Sequence, residues 1–140
     1  MRPTVLLTGG FGNLGGRVAS ALHLTGNWNI RLASRTHLSP PAWAPDATVV
    51  NLDLLNQDQV DIACSGVTSI IHLAALNDRQ AATDPSLAEA ISGAGTKLLT
   101  DAAVKHEVDR FIFMSTAHVY SSPLQGAVTE KTLTINSHPY

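Results

Sequence analysis

The sequence predicts an α/β fold organised around a doubly wound parallel sheet of about five strands. Short apolar segments alternate along the chain with longer segments whose apolar residues recur at helical spacing. A glycine-rich turn follows the first apolar segment, and 140 residues suffice for one domain with its own core. Strands that alternate with helices pair in parallel, because each helix returns the chain across one face of the sheet.

The first part of the chain provides three strands and a helix. A continuous apolar run predicts a strand over Thr4–Thr8, and helical spacing predicts a helix over Asn13–Thr25 that Gly26 terminates. Further strands are predicted over 30–34 and 48–52, with a proline-containing loop between them. The first two strands and the helix between them form a β-α-β unit.

The next elements continue the alternation. A short helix over 56–64 is capped by Asn56, an apolar strand follows over 69–73, and a last strand is predicted over 110–115. After Tyr120 the sequence is polar and rich in turn residues. A complete six-stranded sheet of this class needs more sequence, so the sheet is expected to be truncated before its last strands.

The longest predicted helix runs over 85–104. Asp84 fits its N-cap and Pro85 its first position, where proline is accepted because that N–H would have no helical partner. Gly93 and Gly95 lie inside this helix, and each costs about 1 kcal/mol relative to alanine. Close packing against a neighbouring element would explain both glycines.

Composition excludes several classes of function. Charged residues make up 14% of the chain and the net charge is −2, which gives nucleic acid or an anionic membrane no electrostatic attraction. No apolar run approaches the length of a membrane span, and the run at the N-terminus is too short for a signal peptide. The single cysteine, Cys64, cannot form an internal disulfide. We therefore expect a cytoplasmic protein without nucleic-acid or membrane partners.

The six histidines do not predict a metal site. Their spacing forms no ligand pair, and no cysteine accompanies them at zinc spacing. Each is interpreted as a packed or solvent-facing side chain: His23, His37, His72, His106, His118 and His138.

The glycine-rich turn indicates a dinucleotide. Three glycines follow a predicted strand and open a predicted helix, the context that gives their spacing its meaning in a Rossmann-type domain. Gly9 permits the tight turn, Gly12 lets the backbone approach a pyrophosphate, and Gly15 lets the helix pack closely on the sheet. Free N–H groups at the helix start then point at the phosphates. The alternative is a glycine-rich turn that binds nothing. The predicted contacts are Gly9, Phe11, Gly12, Asn13, Leu14 and Gly15.

The end of the second strand distinguishes between the two nicotinamide dinucleotides. An NAD site usually places Asp or Glu there, bonded to the ribose 2′-hydroxyl. Here Ser34 takes that position and Arg35 follows it. A hydroxyl and a guanidinium suit a 2′-phosphate, since the planar guanidinium can bond two of its oxygens. NADP is therefore the predicted cofactor. If Arg35 is only a solvated loop residue, NAD remains the alternative.

Five motifs, in order along the chain, resemble those of the extended short-chain dehydrogenases/reductases. The glycine turn matches their TGGxGxxG, the segment after the third strand matches their acidic segment, and the fourth strand leads into H-x-A-A. A G-T-x-x-L-L-x-A-A helix follows, and then a fifth strand that ends in S-S/T-x-x-V-Y. The matching segments are 8–15, 51–54, 72–75, 95–103 and 113–120. The family includes nucleotide-sugar epimerases, dehydratases and reductases.

The resemblance implies further cofactor contacts. The acidic segment would meet the adenine amino group, and the backbone after the fourth strand would line the pyrophosphate and the nicotinamide ribose. The residues implied are Asp53, Leu54, Leu73, Ala74, Ala75 and Ser115. Ser92 departs from the pattern, because the family usually has asparagine at that position.

The resemblance also implies a catalytic pair. Thr116 would hold the substrate oxygen, and Tyr140 would be the acid/base whose phenolate takes the substrate hydroxyl proton during hydride transfer. A free tyrosine has a pKa of about 10, so it needs a nearby cation to act near neutrality. In the family that cation is a lysine four residues later, which these 140 residues do not contain. The chain alone is expected to bind a dinucleotide without efficient turnover.

Together these inferences describe an NAD(P)-binding Rossmann domain over 1–140, incomplete because the C-terminal substrate-binding part is absent. The expected function is hydride transfer to or from a hydroxyl or carbonyl substrate by an NADP-dependent oxidoreductase, epimerase or dehydratase. A nucleotide sugar is the candidate small-molecule substrate. The alternative is a non-catalytic dinucleotide-binding sensor or regulatory module. A homodimer is compatible with either function.

Overall fold

The protein folds around a five-stranded parallel sheet. The computed structural model describes residues 1–36, 39–120, 123–124 and 126–136. The strands are β1 (Thr4–Thr8), β2 (Asn29–Ser34), β3 (Thr48–Asn51), β4 (Ser69–His72) and β5 (Arg110–Phe113). Their order is β3-β2-β1-β4-β5, so β1 is central and the strand order reverses between β1 and β4. The predicted doubly wound parallel sheet is confirmed.

Helices lie on both faces of this sheet. They are α1 (Asn13–Thr25), α2 (Gln57–Cys64), α3 (Asp78–Thr83), α4 (Pro85–Glu89), a π-helical segment (Ala90–Gly95) and α5 (Thr96–Lys105), with a 3₁₀ turn over Ala117–Val119. One core lies on the α1 face and includes Leu7 and Leu32. The other lies on the α2 and α5 face and includes Leu6 and Leu99. Successive residues of β1 point to opposite faces, which explains why the whole strand is apolar.

The last three strands end one or two residues earlier than predicted. In each case the next residue still donates its backbone N–H to the neighbouring strand, as Leu73 does to Thr8 at 3.2 Å. The chain then leaves the sheet. These departures leave space at the carboxyl edge, where the strands end.

The predicted long helix is confirmed, since α4, the π-helical segment and α5 follow one another without a break. A Cβ added at Gly95 would lie 2.9 Å from the Cβ of Leu54, so the expected close packing is confirmed there. At Gly93 an added Cβ would meet nothing within 4 Å, so the same expectation is wrong for that residue.

Helix α3 is an element that the sequence patterns did not predict. It begins with a capping box: Asn77 Oδ1 accepts the N–H of Gln80 at 2.8 Å, and Gln80 Oε1 accepts the N–H of Asn77 at 3.2 Å. With α4 it covers a small apolar cluster of Leu76, Ala81 and Ala88. This cluster holds both helices beside the carboxyl edge of the sheet.

The described part of the chain has neither a membrane-spanning helix nor a cluster of metal ligands. No helix there combines the length and the apolar character needed to cross a membrane. Over the same residues, His, Cys, Asp and Glu side chains nowhere gather in threes as a metal site would require.

Candidate functional site

A cleft of about 440 Å³ opens at the carboxyl edge of the sheet. It adjoins the ends of β1 and β4, the point of strand-order reversal where open α/β sheets bind their ligands. Ten of the fourteen predicted cofactor contacts lie in its wall. The lining residues are Thr8, Gly9, Phe11, Gly12, Ala33, Ser34, Arg35, Leu52, Asp53, Leu54, Leu55, Leu73, Ala74, Ala75, Leu76, Leu87 and Ile91.

The glycine turn connects β1 to α1 and forms one wall of the cleft. Gly9 has a φ of 70°, and a Cβ added there would lie 2.9 Å from the backbone nitrogen of Ala74. A Cβ on Gly15 would collide with the carbonyl of Gly9 and the Cα of Gly10. Gly15 is therefore packed closely against the turn itself, whereas the prediction expected it to allow close packing of the helix on the sheet.

The N-terminus of α1 has no side-chain cap. Its N-cap residue, Gly12, has no side chain to accept a hydrogen bond from the first turn. The N–H groups of Asn13 and Leu14 therefore lack helical partners, and both residues are exposed next to Gly12 in the sequence. Asn13, Leu14 and Gly15 do not themselves line the cleft. The positive end of the helix dipole and these free donors suit a phosphate.

The end of β2 contributes the basic part of the cleft wall. Ser34 and Arg35 both line the cleft, and Arg35 is exposed. Ser34 Oγ accepts the N–H of Thr36 at 3.2 Å and lies 3.4 Å from the hydroxyl of Thr36. The Asn51 amide, oriented with its nitrogen toward the strand end, donates to the carbonyls of Ser34 and Arg35 at 3.2 and 3.3 Å. These bonds fix the backbone from which the Arg35 side chain extends.

Asp53 is the only acidic residue in the described wall of the cleft. Its Oδ1 accepts the N–H of Leu55 at 3.0 Å, and its own N–H donates to Gln59 Oε1 at 2.7 Å. Both bonds hold the turn between β3 and α2. Oδ2 takes no part in them, so it is suited to accept a hydrogen bond from an amino group in the cleft.

A buried histidine lies behind the cleft wall. His72 is 1% exposed, with Nδ1 2.6 Å from Thr8 Oγ1 and Nε2 3.0 Å from Thr96 Oγ1. Thr8 Oγ1 also accepts the backbone N–H groups of Leu73 and Ala74, both at 3.2 Å. Burial lowers the pKa of His72 from 6.5 to about 4, because a charged imidazole would lose its hydration. The imidazole is therefore neutral near pH 7.

Two predicted site residues follow β5 and do not line the cleft: Ser115, a predicted cofactor contact, and Thr116, a predicted catalytic residue. The side-chain oxygen of Thr116 accepts the N–H of His118 at 3.1 Å and so caps the 3₁₀ turn. Tyr140 lies outside the described residues. The structure thus gathers most of the predicted cofactor contacts in the cleft wall, and Thr116 is not among the lining residues.

Seven residues of the cleft wall are missing from the prediction: Thr8, Ala33, Leu52, Leu55, Leu76, Leu87 and Ile91. Thr8 stands in the glycine motif itself, so the motif could have identified it. Leu87 and Ile91 lie one helical turn apart on α4 and the π-helical segment, the spacing of a helix face. That spacing shows which residues share a face, but not that the face borders this cleft.

Known proteins share both sequence and fold with this chain. The model of the NAD dependent epimerase/dehydratase family matches residues 5–140. The dTDP-glucose 4,6-dehydratase of Streptomyces niveus is 33% identical in an alignment of 109 residues that covers 74% of this chain and 31% of that protein.

Two solved structures extend the likeness. MoeE5 in complex with UDP-glucose and NAD superposes with a TM-score of 0.82 at 25% identity, over 98% of this chain and 44% of that one. A short-chain dehydrogenase/reductase superfamily protein from Agrobacterium tumefaciens with bound NAD gives 0.83 at 29% identity, over 98% and 40%. The chain spans less than half the length of each of these three proteins. The resemblance to the extended short-chain dehydrogenases/reductases is confirmed, and the match over residues 5–140 shows that the chain belongs to the NAD dependent epimerase/dehydratase family.

Proposed function

We propose that residues 1–140 are the NADP-binding part of an oxidoreductase, epimerase or dehydratase of the extended short-chain dehydrogenase type. The observation that carries the proposal is the cleft at the carboxyl edge, to which the glycine turn, the end of β2 and the loop after β4 all contribute. A dinucleotide needs a phosphate site and a ribose site within one continuous surface. In this proposal the substrate-binding part of the protein lies outside these residues.

NADP is the proposed cofactor because of the charge at the end of β2. Arg35 is the only basic residue in the described wall of the cleft, and Ser34 stands where an NAD site usually has an acid. A carboxylate there would repel a 2′-phosphate, whereas a guanidinium bonds it through paired N–H groups. Both solved structures named above contain NAD, so NAD is the competing cofactor.

The proposed reaction is hydride transfer between the nicotinamide and a carbon that bears a hydroxyl or carbonyl group. The nicotinamide, when bound, accepts or returns that hydride. Thr116 is proposed to hold the substrate oxygen, and Tyr140 to take or return its proton. A tyrosine hydroxyl ionises at about pH 10, so Tyr140 requires a neighbouring cation to act near neutrality.

The proposed substrate is a nucleotide sugar. The Streptomyces dehydratase is named for dTDP-glucose, and the MoeE5 structure contains UDP-glucose.

A net charge of −2 argues against nucleic acid or an anionic membrane as a partner. We place the protein in the cytoplasm, since its one cysteine, Cys64, is free and buried, as suits a reducing compartment. A homodimer is compatible with this proposal.

A dinucleotide-binding sensor or regulatory module is the second candidate. The position of Thr116 favours it, because the side-chain oxygen caps the 3₁₀ turn and does not line the cleft. We also expect the 140-residue chain by itself to bind a dinucleotide without efficient turnover, because the lysine that would support Tyr140 is not among these residues. In the enzyme, Thr116→Val should lower kcat and leave dinucleotide affinity unchanged. A sensor should keep both its dinucleotide affinity and its response in that variant.

Calorimetric titrations with NADP and with NAD test the cofactor proposal. The unaltered chain should bind NADP more tightly than NAD. Arg35→Ala should weaken NADP binding by roughly tenfold to a hundredfold and leave NAD binding unchanged, since the guanidinium meets only the 2′-phosphate. The control is Arg2→Ala, because Arg2 is exposed at the opposite edge of the sheet. Equal affinities for the two dinucleotides in the unaltered chain would contradict the choice of NADP.

A further inference from the structure

His72 lies behind the cleft wall and connects Thr8, which lines the cleft, to Thr96, which does not. Its imidazole lies between Thr8, at the end of β1, and Thr96, at the start of α5. The rings of Phe111 and Phe113 lie beside it, with centroids 6.1 and 5.7 Å away. Since His72 is not part of the cleft wall, its hydrogen bonds act on the walls and not on a bound molecule.

The hydrogen bonds of Thr8 determine which imidazole nitrogen carries the proton. Thr8 Oγ1 accepts the backbone N–H groups of Leu73 and Ala74, each at 3.2 Å. A hydroxyl has two lone pairs and one hydrogen, so the remaining contact, 2.6 Å to His72 Nδ1, uses the hydroxyl hydrogen. Nδ1 is therefore the acceptor. The neutral ring carries its one N–H at Nε2, which donates to Thr96 Oγ1 at 3.0 Å.

This series of bonds runs from a helix to the proposed phosphate site. Thr96 directly follows the π-helical segment, whose Ile91 lines the cleft. At the other end, Thr8 holds the N–H of Ala74 beside Gly9. The two backbones are so close there that a Cβ added to Gly9 would lie 2.9 Å from the nitrogen of Ala74. A shift of Ala74 would therefore change the gap between two walls of the cleft.

We infer that His72 is a positioning residue for the dinucleotide: its neutral imidazole, protonated at Nε2, links Thr96 to Thr8 and so fixes the backbone of Ala74 at the cleft wall. The inference rests on the proposed function, because it gives the network a role in cofactor binding. Burial supports it, since the lowered pKa of His72, about 4, keeps the ring neutral under ordinary conditions.

Matched variants at Thr96, which does not line the cleft, test this role. Thr96→Val keeps the shape of the side chain and removes the acceptor for Nε2, whereas Thr96→Ser keeps the hydroxyl. In Thr96→Val the amide hydrogen of Ala74 should exchange with solvent roughly tenfold faster, and NADP should bind roughly fivefold more weakly. Thr96→Ser should restore both values. The amide of Leu32, in the opposite core, should exchange at the same rate in all three proteins.

The outcomes separate this inference from the proposed function. If the chain binds NADP but Thr96→Val changes neither Ala74 exchange nor NADP affinity, the inference is overturned and the proposed function stands. A uniform rise in exchange throughout the chain also overturns it, because it shows only a general loss of stability. If the unaltered chain binds neither dinucleotide, the proposed function fails and the inference fails with it.

Nitrogen chemical shifts of the His72 ring in the unaltered chain provide a measurement that does not depend on a folded variant. A protonated Nε2 and an unprotonated Nδ1 support the inference. A proton on Nδ1 overturns it, because the hydroxyl of Thr8 could not then donate to the ring while accepting both backbone N–H groups.

Discussion

At the scale of single residues, Gly15 and Gly93 lie in helical segments but in opposite environments. A Cβ on Gly15 would collide with the backbone of Gly9 and Gly10, and neither can move without opening the turn. A Cβ on Gly93 would meet no atom within 4 Å. Substitution by alanine should therefore have opposite effects on stability at the two positions.

Gly15→Ala should lower the free energy of unfolding by about 1–3 kcal/mol, the usual cost of overpacking, and should abolish dinucleotide binding. Gly93→Ala should raise the free energy of unfolding by about 0.5–1 kcal/mol, because alanine favours the helix and restricts the unfolded chain. Urea denaturation followed by circular dichroism measures both. A Gly93→Ala protein destabilised as much as Gly15→Ala would show that the two environments do not differ as described.

His72 makes the stability of the fold depend on pH. Burial lowers its pKa from 6.5 to about 4, so between these values the unfolded chain binds a proton that the folded chain excludes. Stability should therefore fall as the pH falls from 6.5 to 4, by about 3 kcal/mol from this group. In His72→Asn the side-chain oxygen can accept the hydrogen bond from Thr8 in place of Nδ1. Asparagine does not bind a proton in this pH range. Its free energy of unfolding, measured over the same pH interval, should fall less steeply, and an equal slope would rule out His72 as the cause.

At the scale of elements, apolar periodicity and N-cap signals were enough to predict all five strands, α1, α2 and the long helix. Helix α3 was missed because its six residues, DRQAAT, carry no amphipathic repeat and only the Asn77–Gln80 capping box indicates its start. Gly95, in the π-helical segment, packs closely against Leu54, which is far away in the sequence. A local sequence pattern does not contain such a long-range contact and so cannot show where the π-helical segment lies. For this reason Ile91, in the same segment, could not be assigned to the cleft from the sequence.

The end of α2 depends on a side chain from another element. Arg31 in β2 donates from Nη1 to the carbonyls of Ala63 and Ser65 at 2.8 and 2.7 Å, at the helix end where carbonyls lack helical partners. Arg31→Met keeps the length of the side chain and should lower the free energy of unfolding by about 1–3 kcal/mol.

Arg17→Met is the matched control, because Arg17 is exposed on α1. It should change the free energy of unfolding by less than about 0.5 kcal/mol. Equal effects of the two substitutions in urea denaturation would mean that Arg31 does not stabilise the end of α2.

At the scale of the whole molecule, β5 is an edge strand of the sheet that the described residues form, and it carries apolar side chains on both of its faces. Ile112, Phe113 and Met114 are 43%, 54% and 48% exposed. Exposed edges of this kind pair with other chains. The 140-residue chain should therefore self-associate as its concentration rises, and Ile112→Lys should reduce the association. Size-exclusion chromatography with light scattering measures the association. An unaltered chain that stays strictly monomeric at high concentration would contradict the prediction.

Amide chemical shifts during titration of the unaltered chain with NADP test most directly whether the cleft at the carboxyl edge binds the dinucleotide. We predict that the largest shifts occur at Gly9, Gly12, Arg35 and Ala74, which line that cleft. Another groove, lined by residues that include Pro3, Trp28 and Arg110 and here called the second groove, should be unaffected. Shifts confined to the second groove, or none in a demonstrably folded chain, would contradict a dinucleotide site at the carboxyl edge.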